Sequence, residues 1–287
     1  MASGPSVVAV IPTFAPTSDL LGLLASLIPQ VDSIVVSDDA SLCTSDAVLR
    51  EAQMLPTVTV LRHRRNAGIA RGLNDGLDFA ILRHSSWLLT VDQDSEVGED
   101  YVATLLDHAQ SRLARGERLA AVGALTVLDT SGPMRYPHAG PSDFPQTEEI
   151  IQTGSLWAVR NLQEIGGFRL DFGIDAVDAA ACLALRERGY TIGLDPSLTI
   201  RHAIGKGRAM RVGGRTVMIT GHSPARRASM LRNRLQLFPA EFKQSPRHAI
   251  RTIRRVVVNQ SLGLLIEDGR SAKARGTLAA LTRRKSR

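Results

Sequence analysis

Two cysteines in 287 residues, Cys43 and Cys182, lie far apart and without metal-ligand spacing. That excludes a disulfide scaffold or a zinc ribbon and fits a reducing compartment. Aromatic residues make up only 4% of the chain, so a core has to be built from Leu, Val, Ile and Ala. No apolar run reaches the ~18 residues of a membrane span. The N-terminus shows no basic stretch followed by an apolar core, so no secretory signal is read there and a cytoplasmic location is expected. Acidic residues are scarce in one region only. From Arg201 to Arg287 there are 21 Lys and Arg against Glu241, Glu267 and Asp268, a balance of +18, whereas the first 200 residues carry −11. An acidic body with a basic C-terminal third points to a polyanionic partner.

What is present is ordinary globular composition, 44% hydrophobic and 22% charged, in a length that suits one large domain or two smaller ones. Short β runs alternate with helical segments. Ser6-Val-Val-Ala-Val-Ile-Pro12 is continuously apolar, the pattern of a strand buried on both faces. Strands are expected at 33–37, 57–61, 87–91 and 119–125, and helices from about residue 20, over 70–83 and over 98–113. This βα alternation predicts a doubly wound, mostly parallel α/β sheet flanked by helices. Residues 130–147, rich in Pro, Gly, Ser and Thr, read as a long loop. Strand-like residues 150–159, a helix around 176–188 and short strands at 191–194 and 197–201 follow. The charge changes sign near 205–222. That places a first domain at 1–215 and a basic, mainly helical region at 216–287.

In an open α/β sheet, ligands bind beyond the carboxyl ends of the parallel strands. Two strands end there in acidic pairs, Val36-Ser37-Asp38-Asp39 and Val91-Asp92-Gln93-Asp94. Acids also favour turns and helix starts. Asp-x-Asp at a strand end nevertheless suits a hard divalent cation that bridges to phosphates. Asn66-Ala-Gly68-Ile-Ala-Arg71-Gly-Leu-Asn74 opens a helix whose exposed N–H groups favour anions, although an ordinary helix entry reads the same way. Asp175 and Asp178 are three apart, so on a helix they would share one face. His202 follows a short strand.

In this order, these residues resemble the inverting family 2 glycosyltransferases of GT-A fold, and within them the bacterial rhamnosyltransferase subgroup. The resemblance spans roughly residues 6–235. It is carried by Val8-Ala-Val-Ile-Pro-Thr-Phe14, Ile34-Val-Val-Ser-Asp-Asp-Ala-Ser41, Asn66-Ala-Gly-Ile69, Thr90-Val-Asp-Gln-Asp-Ser95, Thr153-Gly-Ser155, Ile165-Gly-Gly-Phe168, Ile174-Asp-Ala-Val-Asp178, Arg201-His202, His222-Ser-Pro224 and Arg232-Asn233.

The resemblance implies a nucleotide-sugar site formed by Pro12, Thr13, Asp38, Asn66, Gly68, Arg71, Asp92 and Gln93, with Asp38 accepting the imide N–H of thymine or uracil. It implies a Mn²⁺ or Mg²⁺ ion held by Asp94, Asp92 and His202. Asp178 would be the general base, with Asp175 as the second carboxylate for that role. The implied donor is dTDP-L-rhamnose, and the acceptor a glycan or a polyprenyl-diphosphate-linked precursor. Ala179 to Ala184 replace an acid, an aromatic and an Arg that the family often carries after the base. Ala228-Ser229 stand where a Tyr pair is common.

A sugar-1-phosphate nucleotidyltransferase would need a glycine-rich strand-to-helix loop, where this chain has Pro12-Thr-Phe-Ala-Pro16. A non-catalytic nucleotide-sugar or membrane-binding relative is the other alternative. Arg247 to Val258 place Ile250, Ile253 and Val257 on one helical face among basic neighbours. That is the pattern either of an interfacial helix on anionic lipid or of a helix packed on the catalytic domain. A frayed basic end is expected over 270–287. No nucleic-acid partner is expected, because the basic region lacks interleaved aromatics.

Overall fold

The computed structural model describes residues 5–129, 132–202, 208–212, 215–219 and 223–266. The expected loop residues 130–131, part of the sign change at 205–222 including His222, and the basic end at 270–287 lie outside the described residues. The chain forms two compact units. One comprises residues up to 128 together with 133–173 and 177–202, and the other takes 129–132, 174–176 and the chain from 203 onward.

The first unit begins with Val7–Thr13 (β1), Asp19–Leu27 (α1), Ser33–Asp38 (β2), Asp46–Gln53 (α2), Val58–Arg62 (β3), Ile69–Leu82 (α3) and Trp87–Thr90 (β4). It continues through Ser95–Glu96 (β5), Tyr101–Ala114 (α4), Leu119–Asp129 (β6), Gly132–Arg135 (β7), Ser155–Ala158 (β8), Val159–Glu164 (α5), Val177–Glu187 (α6) and Thr191–His202 (β9). The strands lie in the order β3-β2-β1-β4-β8-β6-β9-β5, with β7 on β6.

β1 is buried at every residue, as its unbroken apolar run requires of a central strand. It pairs in parallel with β2 and β4, and β2 with β3, so Thr13, Asp38 and Arg62 end in register at one rim. Helix α3 lies close on β1 through Gly72 and Gly76, four residues apart. A Cβ on Gly76 would meet the Val10 side chain at 2.3 Å, so only glycine allows this approach.

Beyond β4 the sheet is mixed. β8 runs antiparallel to both β4 and β6, while β6 and β9 are parallel. The chain reaches β8 through residues 136–154, which hold no helix. Without a crossover helix nothing obliges the strand to enter parallel. The strand expected within 150–159 is correspondingly short.

The two short strands expected at 191–194 and 197–201 are one strand, β9, bent in the middle. Asp195 Oδ1 accepts from Ser197 N at 2.8 Å and Leu198 N at 3.1 Å. Pro196 offers no N–H, and the β6–β9 register slips at the same place.

The second unit contains an antiparallel pair, Arg208–Val212 (β10) with Arg215–Ile219 (β11), and two long helices, Pro224–Gln244 (α7) and Pro246–Ile266 (α8). Each helix opens on a proline at its first turn, where the missing N–H costs nothing. Ser223 caps α7 by accepting from Arg226 N at 3.2 Å. Arg227 near the start of α7 donates to Asn259 O and accepts from Gln260 near the end of α8, so the helices are antiparallel.

The packed face of α8 is His248, Ala249, Thr252, Val256 and Gln260. Of the expected face Ile250, Ile253 and Val257, Ile250 and Val257 are about half exposed, at 52% and 50%, Ile253 is partly buried, and Val258 joins the exposed side at 47%. No helix among the described residues is long and apolar enough to cross a membrane.

Candidate active site

The rim of β1, β2 and β4 gathers most of the residues singled out in the sequence. Pro12 and Thr13 close β1, and Thr13 Oγ1 donates to Ser37 O at 3.4 Å. Asp38, at the end of β2, is 0% exposed. Its carboxylate accepts from the Ser41 hydroxyl, from Ser41 N at 3.3 Å and from Arg62 Nε at 3.3 Å. Three donors occupy three of the carboxylate's roughly four acceptor sites, which leaves one for an imide N–H.

The neighbouring acid, Asp39, does something the sequence reading did not assign. Its carboxylate accepts from Ala67 N at 2.6 Å and Gly68 N at 2.9 Å. The N–H groups at the entry of α3, expected to attract an anion, are thus met by a carboxylate of the chain itself. Asn66 Nδ2 adds a bond to Asp39 O at 3.3 Å. Gly68 has φ +87°, and a Cβ there would strike Gly173 O at 2.7 Å. The α3 entry therefore sits directly against the loop that leads toward α6.

Arg71 turns along its own helix to Asp75, at 2.9 Å, and Asp75 also bonds Ser37 Oγ and His63 Nε2 at 2.7 and 2.6 Å. Gln93 is tied across the rim to Phe14, accepting from its N–H at 2.9 Å and donating to its carbonyl at 3.2 Å.

The Asp-x-Asp turn links β4 to β5, and β5 pairs with the end of β9 so that Ser95 stands opposite His202. That pairing brings Asp92, Asp94 and His202 together, with their ligand atoms within 4.8 Å of one another. His202 Nε2 lies 3.4 Å from Asp92 Oδ2, and Nδ1 lies 3.4 Å from Asp94 Oδ1. Burial alone would push the Asp94 carboxyl up. The hydrogen bond and charge of His202, with a backbone N–H, outweigh it and hold Asp94 below the ordinary carboxylate value. Two carboxylates and an imidazole, all hard or borderline donors, match what Mg²⁺ or Mn²⁺ takes.

Behind this cluster stand Gln152 and Thr153, to which the sequence reading gave no role. Thr153 Oγ1 accepts from Asp92 N at 2.9 Å and bonds Ser95 Oγ at 2.7 Å, and Gln152 Nε2 donates to Asp92 Oδ1.

Asp175 and Asp178 do not share a helix face. α6 starts at Val177, and Ala176 just before it has φ +62°, which takes Asp175 off the helix. Asp178 lies half-buried in the first turn of α6 and accepts from Ala179 N at 2.7 Å. Asp175 belongs to the second unit, where Arg226 Nε donates to its carboxylate at 3.4 Å and Asn233 Nδ2 donates to its carbonyl oxygen at 2.7 Å. Burial raises the Asp175 carboxyl above its ordinary value despite the opposing charge of Arg226. After Asp178, Ala179, Ala180, Ala181, Cys182 and Leu183 are all buried core.

The model of the family described as Glycosyl transferase family 2 matches residues 8–154, half of the chain, running from β1 through the Asp-x-Asp turn. The chain belongs to glycosyl transferase family 2.

It is 23% identical over 243 residues to the dTDP-rhamnosyl transferase RfbF of Shigella flexneri, covering 79% of this chain and 78% of that protein. Among solved structures it resembles the mannosyltransferase PcManGT of Pyrobaculum calidifontis in complex with GDP-Man and Mn²⁺. That match has a TM-score of 0.58 at 18% identity over 98% of this chain and 81% of the other. It also resembles Staphylococcus aureus TarS 1–349 in complex with UDP-GlcNAc, with a TM-score of 0.61 at 14% identity over 96% and 79%. The chain is a glycosyltransferase with the GT-A fold.

Proposed function

We propose that this family 2 glycosyltransferase moves L-rhamnose from dTDP-L-rhamnose, with inversion, to a hydroxyl of a cell-envelope polysaccharide or of its polyprenyl-diphosphate-linked precursor. The observation that carries the transfer chemistry is the Asp92–Asp94–His202 cluster at the carboxyl rim of the sheet. The choice of rhamnose rests on the likeness to RfbF.

In this reading Asp178 is the general base. Its carboxylate takes the proton of the acceptor hydroxyl as that oxygen attacks the anomeric carbon, and the bond to the diphosphate oxygen breaks on the opposite face. One displacement inverts the centre and needs one base and no enzyme nucleophile. Asp175, engaged by Arg226, is the second carboxylate for that role. A divalent cation held by Asp92, Asp94 and His202 would place positive charge against the departing diphosphate. Pro12, Thr13, Asn66, Gly68, Arg71 and Gln93 line the rim where the nucleoside would lie.

We place the enzyme at the inner face of the cell membrane. Between Pro224 and Ile266 there are nine basic residues and one acid, Glu241, which is buried and paired with Arg234. The outward face of α8 carries Ile250, Val257 and Val258 among Arg247, Arg251, Arg254 and Arg255, which suits an anionic lipid surface.

The test is thermal unfolding with dTDP, UDP and GDP, with and without Mn²⁺, on wild type and Asp94→Ala. A ligand at ~100 times its dissociation constant adds about 2.7 kcal/mol, roughly 5–10 °C at this size. A Mn²⁺-dependent rise with dTDP, absent in Asp94→Ala, is expected. A preference for UDP or GDP would discard rhamnose, and no rise with any nucleotide would discard the transferase site.

A further inference from the structure

We infer that Gln152 is a positioning residue of the cation site, acting through Asp92. The inference rests on the cation reading of Asp92, Asp94 and His202 proposed above. Gln152 is only 8% exposed and precedes β8. Its Nε2 donates to Asp92 Oδ1, on the opposite side of that carboxylate from Oδ2, which faces His202 Nε2 at 3.4 Å. One amide thereby fixes how Asp92 is turned toward the other two ligands.

The backbone of Gln152 is held independently. Thr90 Oγ1 donates to Gln152 O, and Trp157 Nε1 donates to Thr90 Oγ1 at 2.9 Å. The adjoining Thr153 carries the same support onward, to Asp92 N and, through Ser95 Oγ, to His202 Nδ1 at 3.3 Å. Residues 152 and 153 thus reach both the Asp92 and the His202 side of the cluster.

The second observation is the other end of the amide. Gln152 Oε1 is buried and meets no hydrogen-bond donor among the described residues. A glutamine kept for packing alone would satisfy both of its polar atoms, because a buried acceptor without a donor is costly. Here the donor end is directed to a candidate cation ligand, and the acceptor end is buried without a donor among the described residues. Partners of this kind typically change metal affinity 10–100-fold when removed.

The experiment titrates Mn²⁺ into the nucleotide-free protein, following free Mn²⁺ by electron paramagnetic resonance. It compares wild type, Asp94→Ala, Gln152→Met and Gln152→Asn. Methionine keeps the volume without the hydrogen bonds, while asparagine keeps the polarity but is too short to span to Asp92. Circular dichroism and the melting temperature without metal establish that each variant is folded. Mn²⁺ affinity is expected to fall 10–100-fold in both Gln152 variants, and the Mn²⁺ concentration for half-maximal thermal stabilisation should rise to match. Affinity within twofold of wild type in a folded Gln152 variant, with binding lost in Asp94→Ala, overturns the positioning role alone. Equal and negligible binding by wild type and Asp94→Ala overturns the cation site, and this inference with it.

Discussion

The side-chain amide of Asn74 exchanges two hydrogen bonds with the backbone of Phe168. Nδ2 donates to the carbonyl oxygen and Oδ1 accepts from the N–H, each at 2.8 Å. The clamp joins α3 to the Gly-Gly-Phe turn, and Phe168 in turn packs edge-on against Trp157 at 5.5 Å. Gly167 has φ +78°, and a Cβ there would come within 2.5 Å of Asn74 Oδ1. Asn74→Ala would strip partners from two backbone groups at once. A loss of about 2–4 kcal/mol is expected, read as a lower urea midpoint at unchanged slope. Asn74→Asp keeps the bond from Phe168 N and should fall between.

In the general-base role proposed for Asp178, Asp178→Asn keeps the shape of the side chain and removes its proton affinity. A drop of roughly 10²–10⁴ in kcat is expected, with donor affinity unchanged. Donor affinity measured by calorimetry separates this from a disturbed nucleotide site, since a fall in both would remove Asp178 from the base role.

Stability should depend on pH through Asp175. Burial raises its folded-state carboxyl, and Arg226 only partly offsets this because that side chain is 41% exposed and screened by solvent. A raised folded value means that the native state holds the proton more tightly than the unfolded chain. The contribution is therefore complete below the unfolded value of about 3.9 and is lost as pH rises through the folded one. Relative to Asp175→Asn, wild type should lose stability over that window and run parallel above it. Urea midpoints at half-unit pH steps would read this out, and a wild-type advantage that grows with pH would contradict it.

Contact with anionic membrane should depend on the outward face of α8. Co-sedimentation with phosphatidylglycerol-containing vesicles is expected for wild type and should weaken at high salt. Ile250→Glu with Val257→Glu should abolish it with little change in the melting temperature, because about half of each side chain already faces solvent. Binding that survives both changes would move the contact elsewhere.

The parallel half of the sheet and its rim acids were legible in the sequence because their signals are local. A strand covered on both faces is a continuous apolar run, and Asp92 and Asp94 follow such a run directly. His202 could be tied to them only by family resemblance, since its partner Ser95 is found through strand pairing. Asp39 offered a readable acid, but which N–H groups it would meet depends on where α3 starts. The antiparallel entry of β8 and the bend of β9 depend on tertiary pairing. Arg112 looks from its sequence like a solvated last-turn cation. It is 0% exposed, donating to Pro145 O at 3.2 Å and facing Glu117 at 3.1 Å, and it anchors the Pro-rich loop. Ile250 and Val257 of the expected α8 stripe are half exposed while Ala249 and Val256 pack on another face, because periodicity alone does not tell which stripe finds a partner.

The pairing of Ser95 with His202 spans 107 positions of chain. Contacts of such separation form only after the intervening segments have paid their ordering entropy, so they come late in folding. Asp92 and Asp94 can meet early, but His202 reaches them only once β6, β8 and β9 have assembled between. A nascent chain released before β9 would therefore carry the acids and no third ligand. If the cluster takes Mn²⁺ as proposed, its uptake during refolding would time the closing of the sheet and should lag behind the burial of Trp87 on β4.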